Sequence, residues 1–308
     1  MAVNFAALEI SIEIHHNFNL ITNGMAKLSA IHPEIKPDYC SSPGGPWRPA
    51  GFLWFSLALH FAALVSLILM PSFWTPALVG VGLNQLVLTL AGLWPKSRVL
   101  GPNWTRLPDP SVARGEVSIT IDDGPDPEIT PRVLDLLDRY GAKASFFCVA
   151  EKARCHPGLC REIVARGHSV ENHSLRHRLD FAFSGYRGFR REISEAQSVL
   201  TQLSGSAPLF FRAPFGIRNP ILEPVLSRLG LQLASWTRRG FDTREHDPRR
   251  VYERLVKNLA AGDILLLHDG NAALTRDGEA VILSVLPPLL EAIQKAKLSS
   301  VSLRSAQA

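Results

Sequence analysis

The chain has 308 residues, 46% hydrophobic, 20% charged and 8% aromatic, with mean hydropathy +0.07 and a formal net charge of +5. That balance excludes a disulfide-stapled mini-protein, a collagen-like repeat and a chain disordered over most of its length. Its four cysteines include Cys148, Cys155 and Cys160, close together but without paired CxxC spacing, so they read as structural thiols.

Residues 1–47 show no clear periodicity, and Met25 offers an alternative start. From Pro49 to Pro95 there is no Asp, Glu, Lys or Arg. Two apolar blocks lie inside this stretch, Gly51–Met70 and Pro76–Trp94. Each comes close to the roughly 20 helical residues that cross a hydrocarbon core, and Pro71-Ser-Phe-Trp-Thr75 breaks the run between them. The pattern predicts a transmembrane helical hairpin over residues 48–98, with membrane lipid as partner of residues 51–94. The competing expectation is a pair of buried core helices in a soluble enzyme. Arg48 before the blocks, and Lys96, Arg98 and Arg106 after them, put both flanks on the cytoplasmic face of an inner or plasma membrane. The blocks lie too far from Met1 for an ordinary signal peptide. Asn103-Trp-Thr105 matches a glycosylation sequon, which we attribute to chance.

After a linker over 99–115 the texture changes to alternating strand-like and helix-like segments, over 116–304. Strands are predicted at Val117–Ile121, Ala144–Val149, Leu209–Phe211, Leu231–Trp236, Ile264–Leu267 and Val301–Leu303. Helices are predicted at Pro131–Tyr140, with Thr130 as N-cap, and at Gly158–Arg166, Phe189–Leu203, Pro220–Leu229, Pro248–Ala261 and Glu279–Ala296. Such alternation implies an α/β domain, a parallel sheet or a (β/α) barrel.

The polar outliers fall just after predicted strands, where (β/α) folds carry their sites. Thr120-Ile-Asp-Asp-Gly-Pro125 puts two acids at a strand exit, suiting one to a cation and one to proton transfer. His173 and His177, four apart, would share one side of a helical turn as metal ligands; the residue after the first is Ser174, so the HExxH metalloprotease pattern is absent. Two His and one Asp leave coordination positions for water and substrate. Arg212 in Phe211-Arg-Ala-Pro-Phe-Gly216 can pair with a carboxylate, and His268 in Leu265-Leu-Leu-His-Asp269 stands at a strand end as a candidate general acid.

These segments, with Trp236-Thr-Arg-Arg-Gly-Phe-Asp-Thr243, resemble the polysaccharide deacetylase family and its NodB-homology domain over roughly Glu116 to Leu303. The resemblance rests on TIDDGP for the family's TFDDGP, His173–His177 for HSxxH, Arg212–Phe215 for RxPF/Y and Leu266–Asp269 for LLHD. It implies a distorted (β/α) barrel of about seven strands. It also implies a divalent metal, usually zinc, on Asp123, His173 and His177, with no organic cofactor. Asp122 would be the general base paired with Arg212, the Phe215 backbone N–H an oxyanion donor, and His268 a general acid oriented by Asp242. The reaction implied is removal of an N-acetyl group from an amino sugar of a poly-, oligo- or lipid-linked glycan. The alternatives are a deformylase or O-acetyl esterase on the same scaffold, and a catalytically silent membrane-anchored glycan-binding domain. Arg239 and Thr243 depart from the family's acidic and aromatic motif-four positions, which loosens the expectation about substrate. Residues 176–254 hold 14 Arg, no Lys and 8 acidic residues, a surplus that exceeds the whole-chain balance. Arg176, Arg178, Arg218, Arg238 and Arg239 among them would form a rim suited to a phosphate-bearing substrate, simple solvation being the alternative. No nucleic-acid recognition pattern appears.

Overall fold

A computed structural model describes residues 47–307. The segment before Trp47, with the alternative start at Met25, lies outside the described residues. Two helices open the described chain, α1 (Gly51–Leu69) and α2 (Trp74–Leu93), joined by a 3-10 turn at Pro71–Phe73. Nineteen residues make α1 about 28 Å long. The pair is polar inside and apolar outside: Asn84 Nδ2 donates to Ser56 Oγ at 2.8 Å between the helices, while Phe61, Ile68 and Leu83 are 60–69% exposed. Only 17% of each apolar window is buried, which is not the pattern of core helices in a soluble domain.

The rest alternates α3 (Asp109–Ala113), β1 (Glu116–Asp122), α4 (Ile129–Arg139), β2 (Ala144–Cys148), α5 (Ala150–Cys155), α6 (Pro157–Ala165), β3 (Ser169–Asn172), α7 (Tyr186–Ser204), β4 (Phe210–Phe211), α8 (Leu222–Arg228), β5 (Gln232–Leu233), β6 (Arg238–Arg239), α9 (Pro248–Val256), β7 (Ile264–His268), α10 (Val281–Lys295), β8 (Ser299–Ser300) and α11 (Leu303–Gln307). All strand pairs are parallel, in the order β5-β4-β3-β2-β1-β7-β6, with β8 pairing the start of β1. This is a curled, open barrel of seven strands with a short eighth at its base. Strand alternation sorts the side chains. Val117, Ile119, Ile121, Leu265 and Leu267 pack outward against α4 and α10, while Phe147, Phe210 and Leu266 fill the interior. The register pairs Asp122 with both Phe147 and His268, so acid and imidazole reach the inner mouth together.

The structure corrects several expectations. β3, β6 and α5 lie outside the strands and helices that the sequence predicts. The final strand is Ser299–Ser300, and Leu303 already begins α11. Thr130 is not the cap of α4: Asp126 Oδ1 accepts from the Glu128 and Ile129 N–H groups, and Thr130 Oγ1 donates to Asp269. Cys148 and Cys160 are buried and free, as structural thiols should be, and Cys155 is exposed and free.

The end of α2 is fastened to the barrel. Gly92 O accepts from Arg218 N at 3.1 Å, Pro95 O accepts from Ser235 Oγ and from Asn103 Nδ2, and Lys96 Nζ donates to Thr237 O. Arg218 and Ser235 follow β4 and β5, so the hairpin joins the domain at the carboxyl ends of the strands.

Candidate active site

The β1 strand ends at Asp122, and Asp123 takes the left-handed conformation, φ 73°, before the cis Gly124–Pro125 bond. That reversal lets two consecutive carboxylates serve one cleft instead of opposite faces of a strand. Asp122 Oδ1 accepts from Arg212 Nη1 at 2.6 Å. Arg212 is 1% exposed and every one of its nitrogens is bonded, donating also to Thr120 Oγ1, Ala234 O and Ser235 O, with its guanidinium 4.0 Å above the Phe147 ring. A buried ion pair so fully bonded holds one geometry.

His173 and His177 lie on the loop after β3, not on the helical turn expected. Ser174 (φ 69°) and His177 (φ 53°) are left-handed; Asn172 Oδ1 accepts from Ser174 N, and Ser174 Oγ from His177 N. Both Nε2 atoms still converge on Asp123 Oδ1, at 3.2 and 3.1 Å. One ligand atom from each of the three residues lies within 4.8 Å of the others. His173 Nδ1 sits 2.9 Å from the carbonyl of Arg212, which can only accept, so Nδ1 carries the hydrogen and Nε2 keeps its lone pair. Burial, with His173 beside it, lowers the pKa of His177 to about 4, so the His177 ring is neutral at pH 7. Burial alone would raise Asp123, but His173, His177 and His268 hold it well below the ordinary carboxylate range. Asp123 Oδ1 is buried and accepts no hydrogen bond among the described residues. Two imidazoles and a carboxylate facing one another with lone pairs fit a divalent metal.

His268 ends β7. Asp242, wholly buried, accepts from its backbone N at 2.7 Å and from Nδ1 at 2.9 Å, leaving Nε2 as the working nitrogen. Burial opposes protonation of His268, yet the Asp242 carboxylate, with Asp122 and Asp123 beyond, raises its pKa above the ordinary value. Phe215 is held at φ 58° between Pro214 and Gly216, its ring 4.8 Å from that of His177. Its backbone N–H finds no acceptor among the described residues. All eight sequence-predicted residues therefore meet at one mouth.

The chain is similar to known proteins. The sequence profile described as polysaccharide deacetylase matches residues 109–234. A peptidoglycan-N-acetylglucosamine deacetylase of Bacillus cereus is 33% identical over 175 residues, 56% of this chain and 81% of the relative. The chain belongs to the polysaccharide deacetylase family. A chitooligosaccharide deacetylase of Sinorhizobium fredii is 32% identical, over 53% of this chain and 76% of its own length. A crystal structure of a peptidoglycan N-acetylglucosamine deacetylase, bound to a naphthyl hydroxamate, superposes with TM-score 0.60 at 24% identity, covering 66% of this chain and 92% of that one; it shares the fold. The family is one of enzymes, and this deacetylase carries the NodB-like barrel.

Two contacts escaped the sequence reading. Asn271 Nδ2 donates to Asp123 Oδ2 at 3.2 Å, and the Arg212 carbonyl orients His173. Asn271 stands just past the LLHD segment, its only sequence signal. The arginine rim is largely dismantled: Arg176 pairs with Glu151, Arg178 with Asp180 and Arg238 with Asp263, while Arg218 is buried against Ser97 O. Arg239 alone of the five remains available. It has no carboxylate within 4.0 Å among the described residues, and it stacks on Trp236 at 5.4 Å and Phe241 at 5.1 Å.

Proposed function

We propose that this deacetylase hydrolyses the N-acetyl amide of an amino sugar in a glycan, using a divalent metal held by Asp123, His173 and His177. The observation that carries the reading is the convergence of that ligand set with two separate proton-transfer pairs, Asp122–Arg212 and His268–Asp242, on one barrel mouth. The donor set favours zinc, and the metal, when bound, supplies Lewis-acid polarisation of the acyl carbonyl. Asp122, held in place by Arg212, takes a proton from the attacking water. The Phe215 N–H donates to the oxygen that gains charge as the water oxygen bonds the acyl carbon. His268 Nε2 then gives its proton to the departing nitrogen as the C–N bond breaks, releasing a free amine and acetate. The relatives' names point to chitooligosaccharide and peptidoglycan N-acetylglucosamine as substrate classes.

The test is acetate release from chitooligosaccharide and from peptidoglycan fragments by the zinc-loaded full-length protein, against Asp122→Asn and His268→Ala variants. Loss of release in both variants is expected. Formate release from a formylated sugar with no acetate from any glycan would replace the deacetylase reading by a deformylase. A cellular phenotype intact in both variants would instead favour a silent glycan-binding domain.

We further infer that α1 and α2 cross a membrane with both flanks on the cytoplasmic side, bringing lipid-linked glycans within the substrate range. Length, exposed apolar surface and the inward-facing Ser56–Asn84 pair support it. Arg239 supports an anionic group, such as a phosphate, on the substrate. Retention of the protein in carbonate-washed membranes is the expected result; release into the supernatant would reject the hairpin.

A further inference from the structure

Four large apolar side chains beside the active site are left in solvent: Leu179 is 85% exposed, Phe183 89%, Phe215 45% and Ile221 41%. Leu179 and Phe183 sit on the segment that follows the metal-site loop, and Phe215 packs on His177. Their supports run directly to the hairpin. Asn219 Nδ2 donates to Ala182 O and Ser184 O, tying the Phe181–Phe183 turn to the loop before α8. One residue earlier, Arg218 N donates to Gly92 O in α2, and Gly216 lies against Pro95. Trp94, 64% exposed, marks the end of the apolar run beside these contacts, and tryptophan favours the headgroup level of a bilayer. The loop carrying Phe215 and Ile221, and the turn carrying Phe183, are thus fastened next to the residue that marks the membrane interface. The first half of α7 adds exposed Arg187, Arg190 and Arg191, none of which forms an ion pair among the described residues. An apolar tip flanked by unpaired arginines is the chemistry of an anionic lipid surface.

We propose that Leu179 and Phe183, with Ile221, Phe215 and the α7 arginines, form a second bilayer contact that sets the active-site mouth at the headgroup level. The acylated amino sugar is then one carried on a membrane lipid and taken from the bilayer plane. This rests on the hairpin reading of α1 and α2, and it extends that reading from an anchor to a docked catalytic face.

The test uses full-length protein with Cys40 and Cys155 replaced by Ser, reconstituted in vesicles of phosphatidylcholine and phosphatidylglycerol. A nitroxide is attached at Phe183→Cys and, as a control at the base of the barrel, at Lys295→Cys. The expected result is preferential collision of the Phe183 label with oxygen and of the Lys295 label with a water-soluble nickel chelate. Equal accessibility of the two labels to the chelate, in protein that resists carbonate extraction, overturns the second contact and leaves the hairpin standing. Extraction of the protein by carbonate overturns both. Burial of the Phe183 label in lipid-free detergent, together with a dimeric mass, would assign the patch to a second copy and likewise overturn the proposal. As a separate readout, Leu179→Ser/Phe183→Ser should lower deacetylation of polyprenyl-diphosphate-linked N-acetylglucosamine in vesicles relative to that of soluble chitotetraose. An unchanged ratio would count against capture from the bilayer, whereas absence of release from both substrates would fault the deacetylase reading and leave the label result to decide the contact.

Discussion

Asp122 and Asp123 are adjacent and chemically alike, and what separates their tasks is what each one faces. Asp122 meets a guanidinium at 2.6 Å, while Asp123 meets two imidazole lone pairs and an amide from Asn271. His268 is set by Asp242 in the same way, through two hydrogen bonds that fix the ring and favour its protonated form. In the proposed role of general acid His268 works while protonated, so activity should fall as pH rises through its pKa. Removing the Asp242 charge lowers that pKa. The alkaline limb of the pH–kcat/KM profile should therefore move to lower pH in Asp242→Asn; an unmoved limb would assign that limb to another group. Arg212 carries a structural burden as well. Arg212→Met would strand the Asp122 carboxylate and two backbone carbonyls in a dry interior, at a cost of about 3–5 kcal/mol. Chemical denaturation of the detergent-solubilised protein would measure it, and a change under about 1 kcal/mol would mean that water enters the barrel.

At the scale of elements, long amphipathic segments were legible and short ones were not. The stretches that became α7 and α10 announced themselves by periodicity, whereas β3 and β6 span only four and two residues, too few for a period-two pattern to register. The site was legible for a different reason. Its residues cluster in compact polar motifs at strand exits, so their identity survived even where the local structure was misread. The loop at His173–His177 delivers both rings by left-handed residues and side-chain turns, which spacing alone could not distinguish from a helix. Arg238 was equally opaque: its partner Asp263 is distant in sequence. The α2 junction also shows what an element needs at its end. A Cβ on Gly92 would lie 2.3 Å from Arg218 O, whereas one on Gly82 meets nothing within 4 Å. Gly92→Ala should destabilise by about 1–3 kcal/mol through forced separation of helix and loop. Gly82→Ala should be neutral or mildly stabilising, because alanine is the better helix former. Thermal unfolding of the two variants in one detergent checks the contrast, and equal midpoints would mean the junction yields freely.

For the molecule as a whole, the α1–α2 hairpin and the barrel meet through a buried polar joint. Arg218 donates to Ser97 O at 2.7 Å and stands 3.9 Å from Glu223, whose carboxyl is enclosed with it beneath the Gly92 contact. Burial raises the pKa of Glu223 to about 7 despite the attraction of Arg218. The folded protein therefore retains a proton that the unfolded chain releases near pH 4.5. The stability linked to that proton is complete below the unfolded value and is lost as pH rises through about 7. Glu223→Gln keeps the shape and cannot titrate, so it isolates this contribution. Wild type should lose thermal stability relative to Glu223→Gln between pH 5 and pH 8, with the two curves running parallel below pH 4 (bounds of about one unit). Parallel curves across the whole range would mean that Glu223 titrates alike in the folded and unfolded chain, the attraction of Arg218 offsetting its burial.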